Sequence, residues 1–106
     1  MTVPGGLMWT TRAKIAQLAL AHRLPSIHGF RETVAVGGLL RLGPNYVDMA
    51  AQGARLVARI LKGTKPAEIP VEEPLQFEIW INLKTAKALG LTIPPAILAR
   101  ADQVIE

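Results

Sequence analysis

The chain has 106 residues, a mass of 11.4 kDa and no cysteine, which suits one domain and excludes disulfides, thiolate metal ligands and a cysteine nucleophile. Half of it is hydrophobic and 19% is charged, a composition that excludes a disordered chain. No apolar run approaches the roughly 18 residues of a membrane span. Because residues 1–6 lack the basic and apolar regions of a signal peptide, the chain as written is expected in the cytoplasm.

The net charge of +4 is unevenly distributed. Residues 1–65 hold nine basic and two acidic side chains, whereas residues 66–106 hold three and six. Such asymmetry is compatible with a nucleic-acid surface, with two halves that face each other, or with a partner. No recognition-helix motif accompanies it, and 5% aromatic residues are too few for a stacking platform. We therefore expect solvated helix faces and no nucleic-acid partner.

The first part of the chain predicts helices and short strands in alternation. Thr10 and Thr11 precede an Ala/Leu-rich run, and their hydroxyls predict a helix start that Pro25 ends. One face of that helix carries Ile15, Leu18, Ala19 and His22. The predicted elements are a helix over 12–22, a strand at 26–28, one or two helical turns over 30–36 and a strand at 39–42.

The clearest helix is predicted over 45–62. Asn45 is its predicted N-cap and Gly63 closes it. It is amphipathic, with polar residues on one side and apolar residues at steps of three and four: Val47, Ala50, Ala54, Val57 and Leu61.

The remainder predicts a connector, a strand and two helices. Residues 64–74 contain three prolines and three glutamates, which is typical of a connector. Residues 75–82 alternate, with Leu75, Phe77, Ile79 and Ile81 on one face. Asn82 caps a predicted helix over 83–89 that Gly90 ends. Pro95 opens a last helix, for which Ile97, Leu98 and Val104 are available to pack.

This order predicts the α/β class, as a three-layer structure with a thin, largely parallel sheet and flanking helices. We treat residues 1–106 as a single segment, with a lobe segment and crossover at 10–63, a connector at 64–74 and a carboxyl-terminal strand and helices at 75–106. Three strands make a thin sheet, and a helix comes first with no strand before it. These features indicate part of a larger fold.

An ordered series of motifs carries a resemblance to a known family. It runs through residues 24–32 (LPSIHGFRE), 37–40 (GGLL), 43–45 (GPN), 67–72 (AEIPVE) and 77–94 (FEIWINLKTAKALGLTIP). Over about residues 10–106 the chain resembles the carboxyl end of ABC-transporter substrate-binding proteins with the type I periplasmic-binding fold, which is Rossmann-like. The series is more specific than any single motif.

The resemblance implies the last third of a bilobed, exported protein whose two lobes close on a small solute and deliver it to an ABC permease. It implies a periplasmic location, no catalytic residues and a ligand such as an amino acid or related carboxylate. Three departures stand out: the chain as written is expected to lack the first lobe and the export signal, and Arg41-Leu42 stands where many relatives carry Ser-Tyr. The first lobe bears on binding competence, the export signal on location, and Arg41-Leu42 on the identity of the ligand.

Candidate ligand residues lie in loops after strands, where open α/β sheets bind ligands. Phe30 and Tyr46 are candidates for stacking, Arg31 for pairing with a carboxylate, Thr10 for holding an anion with its helix N-terminus, and Asn45 for a further polar contact. For each residue singly, a structural role is the favoured interpretation: Asn45 as a cap and Arg31 paired with a surface carboxylate.

No catalytic, metal or cofactor site is expected. His22 and His28 are too few for a zinc site. Ser26, His28 and Asp48 lack a nucleophile elbow, and neither Gly-Gly pair continues into a phosphate-binding motif.

Three hypotheses follow: part of a solute-binding protein, a stand-alone remnant that self-associates, and, well behind, a basic nucleic-acid-binding module. We expect the isolated chain to bind no solute tightly, since it supplies one wall of a two-walled cleft. We also expect a homodimer, because a second copy would cover the thin sheet.

Overall fold

The structure, a computed structural model, describes residues 1–74 and 76–106. Its helices are α1 (Gly6–Thr10), α2 (Arg12–Ala21), α3 (Arg31–Ala35), α4 (Tyr46–Leu61), α5 (Leu83–Ala88) and α6 (Pro95–Arg100). Its strands are β1 (Ile27–His28), β2 (Leu40–Pro44), β3 (Phe77–Asn82) and β4 (Gln103–Ile105), and a 3₁₀ turn covers Pro66–Glu68. The predicted α/β class is confirmed. Leu75, predicted to begin a strand, lies outside the described residues.

One four-stranded sheet joins these strands in the order β1-β2-β3-β4. The β1–β2 pair and the β3–β4 pair are both parallel. Between β2 and β3, the Asn82 N–H donates to the Leu39 carbonyl at 2.9 Å, so the end of β3 lies beside the start of β2. The sequence predicted only three strands. It missed β4 because a strand of three residues is too short to show a period. The prediction that Val104 packs with the last helix was wrong, because Val104 lies in β4.

The chain forms two compact units. One, the sheet unit, comprises Met1–Gly43 and Glu78–Glu106, and the other, the helix unit, is Pro44–Phe77. The chain therefore leaves the sheet unit after β2 and returns to it in β3. The predicted subdivision at 10–63, 64–74 and 75–106 stays a prediction.

The core of the sheet unit combines apolar and polar side chains. Its buried apolar residues are Ala16, Val34, Leu39, Ile81 and Ala86. Among the buried polar residues, Asn82 donates its side-chain N–H to the Val34 carbonyl at 3.0 Å, and Thr85 donates its hydroxyl to the Gly37 carbonyl at 3.0 Å. These bonds tie α5 and the end of β3 to the α3 turn, and they satisfy groups whose burial would otherwise be costly.

Short-range signals located several helix ends correctly. The Asn45 side-chain oxygen accepts from the N–H groups of Val47 and Asp48 at 2.9 and 3.1 Å, so the predicted α4 cap is confirmed. Asn82 caps α5 in the same way, accepting from the Thr85 N–H at 3.1 Å. After these two helices, Gly63 and Gly90 adopt φ values of +108° and +72°, which suit glycine.

The start of α2 differs from the prediction. Thr11 occupies the N-cap position but makes no cap bond, because its hydroxyl donates to the Leu7 carbonyl at 2.6 Å within the preceding helix α1. The face that carries Ile15, Leu18, Ala19 and His22 is only partly covered. Ala16 is buried, whereas Leu18 is half-exposed and His22 is exposed. Helix α2 packs against α3 and against α1, which the sequence did not predict.

Within the described residues, every helix is too short or too polar to cross a membrane.

Candidate functional site

The loop after β1 holds two of the predicted ligand residues. Phe30 precedes α3 in an extended conformation, and Arg31 begins that helix. The Phe30 ring meets the Trp9 ring edge-on, with centroids 5.2 Å apart and planes at 70°. This T-shaped arrangement is a favourable one for two aromatic rings. The loop after β1 is thereby joined to the end of α1.

Two guanidinium groups lie against aromatic rings in the same unit. The Arg12 Cζ lies 4.2 Å from the centre of the Trp9 ring, and its Nη1 donates to the Trp9 carbonyl at 2.7 Å. The Arg31 Cζ lies 5.7 Å from the centre of the Trp80 ring. We call Trp9, Arg12, Phe30, Arg31 and Trp80 the aromatic–guanidinium cluster. Flat apolar rings beside fixed positive charges suit a planar ligand that carries an anionic group.

Arg41 supports the loop from within β2. Its side chain is 1% exposed, its Nε donates to the Gly29 carbonyl at 3.2 Å, and its Nη1 donates to the Glu78 carboxylate at 2.7 Å. The Glu78 carboxylate offsets the buried positive charge, which would otherwise carry a large desolvation cost. Arg41 therefore connects β2, β3 and the loop that presents Phe30 and Arg31.

His28 at the end of β1 has a structural environment. It is buried, its Nδ1 lies 2.9 Å from the Thr2 hydroxyl, and its Nε2 lies 2.8 Å from the Ser26 hydroxyl. Burial, followed by the positive amino terminus, lowers the pKa of His28 below 6.5. Hydrogen bonds at both ring nitrogens and the burial together account for this residue as a support of the strand.

The helix unit holds the other two ligand candidates. Asn45 caps α4, and Tyr46, the first residue of that helix, is 43% exposed. A cavity of about 240 Å³ opens beside Asn45, and its polar lining residues are Asn45, Asp48, Gln52, Arg55 and Gln76. The Gln52 side chain donates to the Glu72 carboxylate at 2.7 Å, and this hydrogen bond fixes the position of Gln52 in the cavity wall.

The five predicted ligand residues divide between the two units. Phe30 and Arg31 lie together in the cluster, and Thr10 follows Trp9 in the same unit, its hydroxyl donating to the Leu7 carbonyl at 3.1 Å. Asn45 and Tyr46 belong to the helix unit. The structural alternatives for two of them are observed, since Asn45 caps α4 and Arg31 pairs with Glu32 at 3.3 Å. Their roles toward a ligand stay proposals.

Sequence reasoning did not assign four contributors to this site: Trp9, Arg12, Arg41 and Trp80. Trp9 was not identified because helix α1 was not predicted. Its position directly before Thr10, a predicted ligand residue, is a signal that could have identified it. Arg41 was noted only as a departure from a familial motif. Its alternation with apolar neighbours in a strand, and the presence of Glu78 in another strand, are the signals that point to a buried ion pair.

The family is shown by comparison with known proteins. Residues 9–105 match the family model described as ABC transporter substrate binding protein. The chain belongs to this family, and the resemblance drawn from the motifs is confirmed. The family is a class of solute-binding proteins of the periplasm. Among curated proteins, none is similar enough in sequence to count as a match.

Solved structures share the fold with this chain. An ABC domain in complex with L-Trp from Streptococcus pneumonia is 28% identical, with a TM-score of 0.86 over 97% of this chain and 35% of that one. A conserved domain protein from Vibrio cholerae is 30% identical, with a TM-score of 0.81 over 92% of this chain and 33% of that one. The ligand-free, open structure of a substrate-binding protein with adhesive properties from Clostridium difficile is 22% identical, with a TM-score of 0.63 over 93% and 33%. The chain spans about a third of the length of these structures.

Proposed function

We propose that this chain supplies one wall of the solute site of an ABC-type importer, as its carboxyl-terminal part, and that it has no enzymatic activity. The observation that carries this proposal is the aromatic–guanidinium cluster, whose Phe30 and Arg31 follow the loop residue Gly29 that the buried Arg41 binds. Such a wall binds and orients a ligand. It presents no activated nucleophile, and the only histidine beside a serine hydroxyl, among the described residues, is buried His28.

The proposed ligand is a small solute such as an amino acid or a related carboxylate. A guanidinium suits a carboxylate because it can donate two parallel hydrogen bonds. The Arg31 side chain is 45% exposed, so its donors remain within reach of solvent even beside Glu32. The relative from Streptococcus pneumonia, which was solved in complex with L-Trp, supports an amino-acid ligand.

The proposed contacts assign a role to each candidate. In the sheet unit, Phe30 is proposed to stack on the ligand and Arg31 to pair with its carboxylate; in the helix unit, Tyr46 is proposed separately as a stacking residue. Asn45 offers a polar contact in addition to its cap, and Thr10 contributes its hydroxyl oxygen as an acceptor, because its hydrogen is directed to Leu7. Within the sheet unit, the Trp9 and Phe30 rings and the Arg31 guanidinium would then select for a flat or apolar side chain together with an anionic group.

The proposed partners follow from the family. They are a small-molecule solute and an ABC permease, and the second lobe of the cleft completes the site. The proposed location is that of the family, the periplasm. The cytoplasmic location expected from residues 1–6 stays a prediction.

The binding test is a titration of the 106-residue chain with L-tryptophan, followed by NMR. We expect weak, saturable shifts at the millimolar level, confined to the amides of residues 29–32 and the Trp9 indole, because half of the cleft is absent. Arg31→Gln abolishes them, whereas the matched variant Arg100→Gln, in an exposed position of α6, leaves them unchanged. Micromolar binding contradicts the one-wall proposal, and shifts that avoid the cluster contradict the site.

The intact mass of the native product in its own cells tests the assignment to a larger protein. A mass several times 11.4 kDa supports a solute receptor of which this chain is a piece. A mass of 11.4 kDa contradicts it and turns attention to the second candidate function.

A second candidate function is self-association as a homodimer. The observation that favours it is the exposure of apolar side chains along α4, with Val47 at 65%, Val57 at 55% and Leu61 at 82%. Large exposed apolar patches are typical of interaction surfaces. No specific observation favours the nucleic-acid-binding alternative.

A further inference from the structure

The first residues of the chain run beside the loop that carries two of the proposed ligand contacts. The Thr2 N–H donates to the Ile27 carbonyl at 2.8 Å, and the Thr2 hydroxyl lies 2.9 Å from the His28 Nδ1. Because β1 is an edge strand, these bonds occupy an edge that the sheet itself leaves open. Thr2 is thereby fixed to the end of β1, directly before the loop.

Pro4 approaches the loop at Gly29. This glycine is buried, and its φ lies outside the left-handed region, so its backbone conformation would accept an alanine. A Cβ at Gly29 would nevertheless overlap the Pro4 ring, and the three atoms nearest to it all belong to Pro4. The close approach of Pro4, rather than the backbone conformation, therefore explains why a glycine suits this position.

Gly29 is held by a second contact in addition to Pro4. The Nε of the buried Arg41 donates to the Gly29 carbonyl at 3.2 Å. One contact thus restrains the Gly29 Cα and the other restrains its carbonyl group. A residue restrained at both places fixes where the chain enters the next two positions, Phe30 and Arg31.

The contacts between the two stretches of chain occur in the same order in both. They join three successive pairs: Thr2 with residues 27–28, Pro4 with Gly29, and Trp9 with Phe30. Thr2 and Pro4 precede residues 9–105, the range that matches the family. The first two pairs are therefore features of this chain that the family match does not cover.

We propose that Thr2 and Pro4 are positioning residues of the solute site, because they hold Gly29 in the place from which Phe30 and Arg31 meet the ligand. This inference rests on the proposed solute-binding function and adds a determinant of its affinity. A loop that is already held in its binding position loses less conformational freedom when a ligand binds, and affinity rises accordingly.

A pair of substitutions tests the Pro4 contact in the titration of the 106-residue chain with L-tryptophan. Gly29→Ala displaces the loop from Pro4 and is expected to weaken binding about tenfold. Pro4→Ala removes the two ring atoms nearest to the added Cβ. The double variant is therefore expected to bind more tightly than Gly29→Ala alone. Gly5→Ala is the matched control, because a Cβ there meets nothing within 4 Å, and it is expected to bind as the unmodified chain does.

A second measurement, on the solute-free chain, follows the ring contact by NMR. The unmodified chain is expected to show nuclear Overhauser effects between the Trp9 and Phe30 rings, and Gly29→Ala to lose them. Thr2→Val, which removes the hydroxyl beside His28, is expected to weaken them and to lower the affinity about fivefold. Thr2→Ser keeps the hydroxyl and is expected to restore both. Thermal unfolding of each variant shows whether the fold itself is retained.

The outcomes separate positioning from stabilisation. Variants at Gly29 and Thr2 that lower only the unfolding midpoint, with the ring contact and the affinity unchanged, overturn the proposal. Independent, additive losses in the double variant overturn the contact between Pro4 and Gly29 as the cause. If Gly29→Ala does not fold, the comparison of Thr2→Val with Thr2→Ser decides. If the unmodified chain binds no L-tryptophan at all, the proposed function fails, and the ring contact in the solute-free variants still decides whether Thr2 and Pro4 position the loop.

Discussion

The two units of this protein are stabilised in different ways. The sheet unit buries five apolar side chains together with His28, Thr33, Arg41, Asn82 and Thr85. The helix unit buries a single side chain, Gln52, among its described residues, and its long helix is otherwise half-buried or exposed. Tertiary packing thus maintains the first unit, whereas capping and helix propensity contribute most to the second. Equivalent substitutions should therefore cost more in the sheet unit.

Removal of the Arg41 side chain gives the largest expected effect. Arg41→Met removes the ion pair between Arg41 and the Glu78 carboxylate, whose side chain is 17% exposed, and breaking such a pair costs about 3 kcal/mol. The exposed pair offers the matched control, because Arg31→Met removes the partner of Glu32 at a cost below about 1 kcal/mol. Urea unfolding of both variants measures the difference. Equal losses would contradict the assignment of Arg41 as a buried support.

Two glycines test the packing density of the units. A Cβ at Gly38 would lie 2.6 Å from the His28 ring and 2.9 Å from the Thr33 carbonyl, so Gly38→Ala should destabilise the protein by about 2–3 kcal/mol. A Cβ at Gly53 in α4 meets nothing within 4 Å. Gly53→Ala should therefore raise helix stability by about 0.5–1 kcal/mol. Thermal unfolding followed by circular dichroism distinguishes the two, and a stabilising Gly38→Ala would show that the site is less closely packed.

The two asparagine caps provide a third comparison. Asn82→Ala loses the α5 cap and the buried bond to the Val34 carbonyl, with an expected cost of about 2 kcal/mol. Asn45→Ala loses the exposed cap bonds of α4, with an expected cost of about 1 kcal/mol. Denaturant unfolding, with hydrogen exchange at the first turn of each helix, measures both. If Asn45→Ala costs more than Asn82→Ala, the contrast between the units is wrong.

The smallest expected effect on stability at neutral pH is that of substituting His28. Its pKa is lowered below 6.5 by burial, so below that pH the unfolded chain takes up a proton that the folded chain does not. Stability should be constant above pH 6.5 and fall as the pH decreases toward the lowered pKa. His28→Gln should reduce this decline, whereas His22→Gln, at an exposed position, should retain it. Unfolding midpoints from pH 7.5 to 5 provide the measurement, and an unchanged decline in His28→Gln contradicts this cause.

Local signals predicted much of this fold. Asn45, Asn82, Gly63 and Gly90 mark helix ends correctly because a cap or a positive φ depends on a few neighbouring residues. The family motifs located the same elements in the same order. The short strand β4 and the helix α1 have too few residues for such signals, and their existence depends on the partners that pack against them.

The site was less predictable than the fold. Phe30 and Arg31 were found from their place after a strand, but the contribution of Trp9 depends on a ring contact between residues 21 positions apart. The burial of Arg41 depends on Glu78, 37 positions away. Helix α4 shows a different limit of sequence reasoning. Its helical period was predicted correctly, but the residue that the helix unit buries, Gln52, lies on the polar side of the helix. Distant pairings of this kind leave only weak traces in one sequence.

The return of the chain to the sheet unit has a consequence for its synthesis. The 34 residues of Pro44–Phe77 separate the two parts of that unit. At translation rates of about 5–20 residues per second, β2 waits some 2–7 s before Glu78 is made, far longer than a loop needs to close. Until then, neither the ion pair between Arg41 and Glu78 nor the hydrogen bond from the Asn82 N–H to the Leu39 carbonyl can form. A nascent chain of this protein therefore exposes an unfinished sheet edge on the ribosome, where a chaperone can bind it before β3 arrives.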